Sequence, residues 1–225
     1  MQVMILAAGR GERMRPLTNS TPKPLLKAAG KSLIVRTIEQ LVAAGLTDLV
    51  INHAYLGEQI EIALGDGSQF GAKIRYSPEG ENGLETAGGI IHALLMMNDA
   101  PFLVVNGDIA TDFDFAKLKN QPVDFAHLVL VPNPEHHQKG DFHLAENGRL
   151  SMTEKERFTF SGIGLYSPKF FNTAPKNSTK LAPLLRDAMR ENRVTGELFT
   201  GFWRDIGTPE RLNALEDYLA VGAGS

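Results

Sequence analysis

Apolar positions along the first half of the chain fall in two alternating periods. Val3-Met4-Ile5-Leu6-Ala7-Ala8 is an unbroken apolar run of the length of a buried strand. Leu49-Val50-Ile51, Lys73 to Ser77 and Pro101-Phe102-Leu103-Val104-Val105 read as further strands. Between them, Leu33 to Ala44 carries Leu33, Ile34, Ile38, Leu41 and Val42 at helical spacing and stops at Gly45. Leu56 to Leu64 is a second helix closed by Gly65, and Thr86 to Met97 a third. Strand and helix in strict alternation predict an α/β fold, a mostly parallel sheet covered by helices on both faces.

Past Asp108 the pattern changes. Phe125 to Val131 is another strand, but Pro132 to Gly148 is polar and broken by Pro134, Gly140 and Gly148. Asp141–Leu144, Arg149–Met152 and Thr159–Tyr166 predict antiparallel hairpins, a small extension on the main sheet. Ala182 to Glu191 reads as a helix. Val194–Phe199 and Gly201–Asp205 read as a hairpin leading to Ile206-Gly207-Thr208-Pro209. Pro209 suits the first position of a last helix through Leu219, with Ala220 to Ser225 as a frayed tail.

Composition narrows the classes. At 225 residues and 43% hydrophobic, the chain has enough apolar material for a single domain with a full core. A net charge of −3 argues against general nucleic-acid binding. The lack of cysteine excludes disulfides and thiolate metal sites. The opening apolar run is too short for a signal peptide, and no stretch is long enough to span a membrane, so a cytoplasmic protein is expected.

The first strand ends in Gly9-Arg10-Gly11-Glu12-Arg13, followed by Pro22-Lys23-Pro24. Glycines let a backbone bend tightly and bring its N–H groups close to a ligand, and Arg13 and Lys23 add positive charge. The arrangement suits phosphate; a plain strand–helix turn is the other reading. It lacks the ending of a P-loop and the third glycine of a dinucleotide fingerprint. Asp108 follows an apolar strand and a glycine, as either a ligand-facing acid at the carboxyl edge of the sheet or a turn aspartate. Asp112 and Asp114 read as helix-start residues rather than ligands. His136-His137, without a third ligand nearby, reads as a surface pair. Gly88 and Gly89 serve either close helix packing or a flat base laid against backbone.

Together, Leu6-Ala7-Ala8-Gly9-x-Gly11-x-Arg13-Met14-x-Pro16-Leu17-Thr18 and Pro22-Lys23-Pro24-Leu25 resemble the signature of the sugar-1-phosphate nucleotidyltransferases. The resemblance implies a three-layer α/β/α Rossmann-like core and transfer of a nucleotidyl group from a nucleoside triphosphate to a sugar-1-phosphate. It continues through Gly83 to Gly89, Asn106-Gly107-Asp108, Glu154-Lys155 and Asp205. By that resemblance residues 1–131 form a nucleotide-binding half and 132–225 a sugar-binding half of one domain. Leu6, Ala7, Ala8, Gly9, Gly11, Arg13, Lys23, Glu85, Thr86, Gly88 and Asn106 are then nucleotide residues. Asp108, Gly140, Glu154, Lys155, Gly162 and Glu197 are sugar residues, and Asp108 and Asp205 hold Mg²⁺. Arg13, Lys23 and Asp108 carry the catalytic roles.

Asn52-His53-Ala54, Gly65-Asp66-Gly67-Ser68 and Tyr76 to Gly80 are most similar to the short members of the family, which act on N-acetylmuramate-1-phosphate with UTP in cell-wall recycling. The compact length points the same way, and a monomer is expected. Mannose-1-phosphate guanylyl transfer, hexose-1-phosphate thymidylyl or uridylyl transfer, and a non-catalytic nucleotide sensor are the competing readings. Muramate carries a lactyl carboxylate; with Lys155 on the phosphate, Arg157 and Lys139 are the expected partners for it.

Overall fold

The computed structural model describes residues 1–153, 155–175 and 179–222. In chain order they form β1 (Gln2–Leu6), the short pair β2 (Lys27–Ala28) and β3 (Lys31–Ser32), α1 (Leu33–Ala43), β4 (Asp48–His53), α2 (Gly57–Leu64) and β5 (Lys73–Pro78). Then come α3 (Glu85–Leu94), β6 (Phe102–Asn106), β7 (Ile109–Thr111), β8 (Ala126–Val131), β9 (His143–Leu144), β10 (Leu150–Ser151) and β11 (Thr159–Tyr166). The chain closes with α4 (Pro168–Asn172), α5 (Leu181–Arg190), β12 (Val194–Leu198), β13 (Trp203–Asp205) and α6 (Pro209–Gly222).

Seven strands make the main sheet in the order β12-β8-β11-β6-β1-β4-β5. All run parallel except β11, which lies antiparallel between β6 and β8. Side chains of a strand alternate between faces. Accordingly Met4 and Val104 join the apolar cluster on one face, with α3 and α5, while Val3, Ile5, Leu103 and Val105 join that on the other, with α1 and α2. No helix among the described residues is long and apolar enough to cross a membrane.

Two expected hairpins are not hairpins. Thr159–Tyr166 is a central strand of the main sheet, and its apolar residues are buried on both sides as that position requires. Val194–Leu198 pairs in parallel with β8, whereas Trp203–Asp205 pairs antiparallel with β7, so the two segments separate into different sheets. Only β9 and β10 form the expected small hairpin. Asp114 does start a helix, its Oδ1 accepting the Ala116 N–H at 3.0 Å. Asp112 does not; its N–H donates to the Phe202 carbonyl at 3.1 Å and continues the β7–β13 pairing. The last helix extends to Gly222, beyond the expected Leu219, and the final three residues of the expected tail lie outside the described chain.

A third apolar cluster matters most for the site. Met14, Leu26, Ala28 and Leu33, all close to the glycine loop in sequence, pack with Ile206, Leu212 and Leu215. The end of the chain is thereby fastened to the loop that follows β1.

Candidate active site

The glycine loop leaves β1 at the carboxyl edge of the sheet, where ligands of open α/β folds bind. Gly11 has φ +66, and a Cβ there would stand 2.9 Å from Thr18 Cγ2. That close approach lets Thr18 Oγ1 donate to the Gly11 carbonyl at 2.7 Å and close the loop. Lys23 follows in a turn between Pro22 and Pro24, is only 8% exposed, and its Nζ donates to Asp108 Oδ2. A cavity of about 410 Å³ opens above. Of the residues that the resemblance assigns, Leu6, Ala7, Ala8, Gly9, Lys23, Glu85, Thr86, Asn106 and Asp108 line it. Gly11, Arg13 and Gly88 do not line it.

Gly107 is the hinge that carries Asp108. Its N–H donates to the Leu6 carbonyl at 2.8 Å, and a Cβ would meet the same oxygen at 2.8 Å, so no larger residue lets β6 turn this closely over β1. The β7–β13 register then sets Asp205 opposite Ile109, the residue after Asp108, and the Ile206 N–H donates to the Asp108 carbonyl at 2.8 Å. Backbone pairing thus joins two acids almost a hundred residues apart in sequence. Asp205 accepts from Arg211 through Oδ2 and lies 3.1 Å from His136 Nε2 through Oδ1. Arg13 reaches the same spot: a Cβ on Gly207 would be 2.9 Å from Arg211 Nη1, 3.1 Å from Asp205 Oδ2 and 3.3 Å from Arg13 Nη2. Arg13 therefore belongs with Asp205 and Arg211 rather than with the cavity wall.

The opposite wall is held by residues whose roles sequence reading did not assign. Asn52 Oδ1 accepts the Ala7 N–H at 2.9 Å, and its Nδ2 donates to Glu79 Oε1 at 2.6 Å. Glu79 Oε2 in turn accepts the Leu84 N–H at 2.8 Å. This relay fastens the loop before α3 to the end of β1. Gly89 makes it possible, since a Cβ there would lie 2.1 Å from Glu79 Oε1. Gly88 instead packs outward, its N–H donating to the Thr179 carbonyl at 3.1 Å. Glu85, at the start of α3, has φ +60, an unfavourable conformation for a side chain with a Cβ. Arg10 and Tyr55 complete the rim, the guanidinium 5.0 Å from the ring centroid. Arg10 stands in the glycine loop only as its variable residue, and Tyr55 lies outside every motif.

A second cavity, of about 320 Å³, adjoins the first and shares Leu6, Glu85, Thr86 and Asn106 with it. Gly162 lines it at a break in the β11–β8 register, with φ +81 and room for no Cβ, because Asn106 Nδ2 would be 2.6 Å away. The other expected sugar residues scatter. Gly140 shapes a turn against the Arg157 backbone, and Lys155 is exposed. Glu197 pairs with His127 across the sheet at 3.8 Å. The imidazole holds the Glu197 carboxyl below its ordinary value against the opposing effect of burial. Glu154 lies outside the described residues. His136 and His137 do not act as a pair, since His137 Nε2 turns to Asp141 Oδ1 at 3.0 Å while His136 faces Asp205. Arg157 braces its own loop, donating to the Thr153 and Met152 carbonyls at 2.9 Å each. Neither Arg157 nor Lys139 lines the second cavity.

Residues 2–220 match the family model described as Nucleotidyl transferase. The chain is 53% identical over 220 residues to the N-acetylmuramate alpha-1-phosphate uridylyltransferase of Neisseria meningitidis serogroup B, covering 94% of this chain and 95% of that one. It is 32% identical over 233 residues to the protein of the same name from Caulobacter vibrioides, with 96% of each covered. Among solved structures, a putative glucose-1-phosphate thymidylyltransferase from Bacillus anthracis superposes with a TM-score of 0.85 over 97% of this chain and 94% of the other. Its 21% identity makes that a likeness of fold. The family match spans residues 2–220, from β1 and the glycine loop to the helix beyond Asp205, and the chain belongs to the nucleotidyl transferase family.

Proposed function

We propose that this protein transfers the uridylyl group of UTP to N-acetylmuramate-1-phosphate, using Mg²⁺. The observation that carries the reaction is the pair of adjoining cavities with a common wall, one of them floored by the Lys23–Asp108 pair. A nucleotide in the first and a sugar phosphate in the second would meet at Asn106 and Asp108. The choice of substrates rests on the similarity to the Neisseria and Caulobacter uridylyltransferases.

In this reaction an oxygen of the sugar phosphate attacks the α-phosphorus. The bond from that phosphorus to the bridging oxygen breaks, and pyrophosphate leaves with the electron pair. The second pKa of a phosphate monoester is about 6, so the attacking oxygen is already ionised at neutral pH and no protein base is needed. The protein's work is positioning and charge neutralisation. Lys23 is nearly buried, where a charge is poorly screened, and would hold the reacting phosphoryl. The loop N–H groups would hold the outer phosphates, Arg13 would add positive charge from its place beside Asp205 and Arg211, and Asn106 would keep the two substrates in register across the shared wall.

The acids suit the metal. Asp108, in the turn just before β7, and Asp205, at the end of β13, offer hard carboxylate oxygens, and both side chains are partly open, at 36% and 27% exposure. Two carboxylates are what Mg²⁺ takes from proteins when phosphates complete its shell, and bound there it would supply compact positive charge against the reacting phosphates. Lys23, Arg211 and His136 share those oxygens and would have to yield part of them.

The test is to incubate the protein with Mg²⁺, each of four nucleoside triphosphates and a panel of sugar-1-phosphates, following pyrophosphate release. UTP with N-acetylmuramate-1-phosphate is expected to give the highest kcat/KM. Mannose-1-phosphate with GTP as the best pair would overturn the substrate assignment and leave the reaction class standing.

A further inference from the structure

The second cavity holds a charge that nucleotidyl transfer as such does not use. Among its described lining residues Lys180 is the only lysine or arginine, and the carboxylates there are Glu85 and Asp141. Asp141 is committed to structure. Its Oδ2 accepts the Phe160 N–H at 2.8 Å and its Oδ1 meets His137, which fixes the bulged stretch of β11 beside Gly162. Lys180 is held in place from both sides. The Thr179 carbonyl before it accepts the Ala87 and Gly88 N–H groups, at 2.8 and 3.1 Å, pinning the segment to the start of α3. Leu181 after it opens α5 and is buried in the core. The lysine therefore lines the second cavity close to the start of α3, outside the wall that the two cavities share. Deeper in, Tyr166 also lines the cavity. It is fully buried, and its hydroxyl has no hydrogen-bond partner among the described residues. Orphaned polar atoms of this kind are rare in finished cores, and each calls for a partner such as a water, an ion or a ligand.

We propose that Lys180 is the specificity residue of the sugar cavity, reading a carboxylate carried on the sugar ring, which for N-acetylmuramate-1-phosphate is the lactyl group. The proposal rests on the substrate reading above and adds the group that enforces it. Its logic is electrostatic. A sugar acid entering a cavity that already contains Glu85 and Asp141 meets like charge unless a cation stands between. Lys180 itself is exposed, so a sugar without the carboxylate leaves its ammonium in water at little cost. Such a lysine favours the acid without excluding the neutral sugar. Arg157 and Lys139, the candidates by sequence, do not line this cavity, and the Arg157 guanidinium is occupied by backbone carbonyls.

The experiment measures kcat/KM for N-acetylmuramate-1-phosphate and N-acetylglucosamine-1-phosphate under UTP in the wild type, Lys180→Met and Lys180→Arg. These two sugars differ by the lactyl group alone. An ion pair with an exposed lysine is expected to be worth roughly 1.5- to 5-fold, so Lys180→Met should reduce the preference for the muramate sugar by a factor in that range. The loss should appear in KM for the sugar, because the carboxylate is remote from the reacting phosphorus and is held equally in ground and transition states. Lys180→Arg should recover most of the preference. A wild type without preference for the muramate sugar would overturn the substrate reading and the lysine's role with it. A preference that is present in the wild type and survives in Lys180→Met would overturn the lysine's role alone. The same holds if Lys180→Met slows both sugars equally.

Discussion

Gly162 offers a direct test of how the shared wall is built. With φ +81 it sits where an L side chain is strained, at about 1–2 kcal/mol for a residue carrying a Cβ. A methyl there would also press on the Asn106 side chain, with Nδ2 at 2.6 Å, Cγ at 2.7 Å and Cβ at 3.0 Å. Overpacking of this kind costs a further 1–3 kcal/mol, roughly. Gly162→Ala should therefore lose about 2–5 kcal/mol, on the order of 10 °C in Tm for a chain of this size. Gly148→Ala is the control, since its φ is +76 but its nearest neighbour, the Gly196 carbonyl oxygen, is 3.7 Å away. It should show the backbone strain alone. Thermal unfolding by circular dichroism measures both, and steady-state kinetics should show KM rising for nucleotide and sugar together in Gly162→Ala, because Asn106 lines both cavities. In the double variant Gly162→Ala/Asn106→Ala, which removes the two closest atoms, part of the stability should return relative to the sum of the single changes. Equal losses in the two glycine variants, or additivity in the double variant, would refute the packing argument.

Asp108→Asn and Asp205→Asn should each lower the rate by roughly 10²–10³ or more with the fold intact, and chelation of divalent metal should abolish activity; a near-wild-type rate removes that acid from the metal site. Lys23→Ala should lower kcat, whereas Arg13→Ala should mainly raise KM for the nucleotide, and unchanged kinetics in Lys23→Ala would end the role given to that lysine. Glu79→Ala strands the Asn52 amide and the Leu84 N–H, so it should cost about 1–3 kcal/mol in stability and raise nucleotide KM, both read in one preparation. Because Glu197 titrates below its ordinary 4.5 in the folded protein, its contribution is present above that pH and is lost as pH falls through the lowered value. Stability of Glu197→Gln should accordingly fall less steeply than wild type in acid below about pH 4.5, as followed by urea midpoints.

Local chemistry was enough for much of this protein. Apolar runs marked β1, β4 and β6, because a strand buried on both faces must be apolar throughout, and periodicity marked the half-buried helices between them, whereas the edge strand β5 carries Lys73 and Arg75 and shows more weakly. The glycine loop and Asp108 stand out as candidates because they follow strand ends, but their own residues leave a plain turn open, and their roles and that of Lys23 are read from the family resemblance. The partners of the later segments are not legible. Val194–Leu198 and Trp203–Asp205 read equally well as a hairpin, and nothing in their own residues says that one adds to β8 and the other to β7. Strand pairing is decided by backbone hydrogen bonds, which every sequence offers alike, and by which apolar face remains uncovered when the rest of the chain has packed. That choice brought Asp205 beside Asp108 and turned His136 toward it. The β4–β5 pairing likewise set the Asn52–Glu79 relay behind one wall of the first cavity, and the hydrogen bonds between the Thr179 carbonyl and the start of α3 put Lys180 on the wall of the second. Each of these depends on side chains from elements far apart in the chain, and their meeting is a property of the tertiary structure alone.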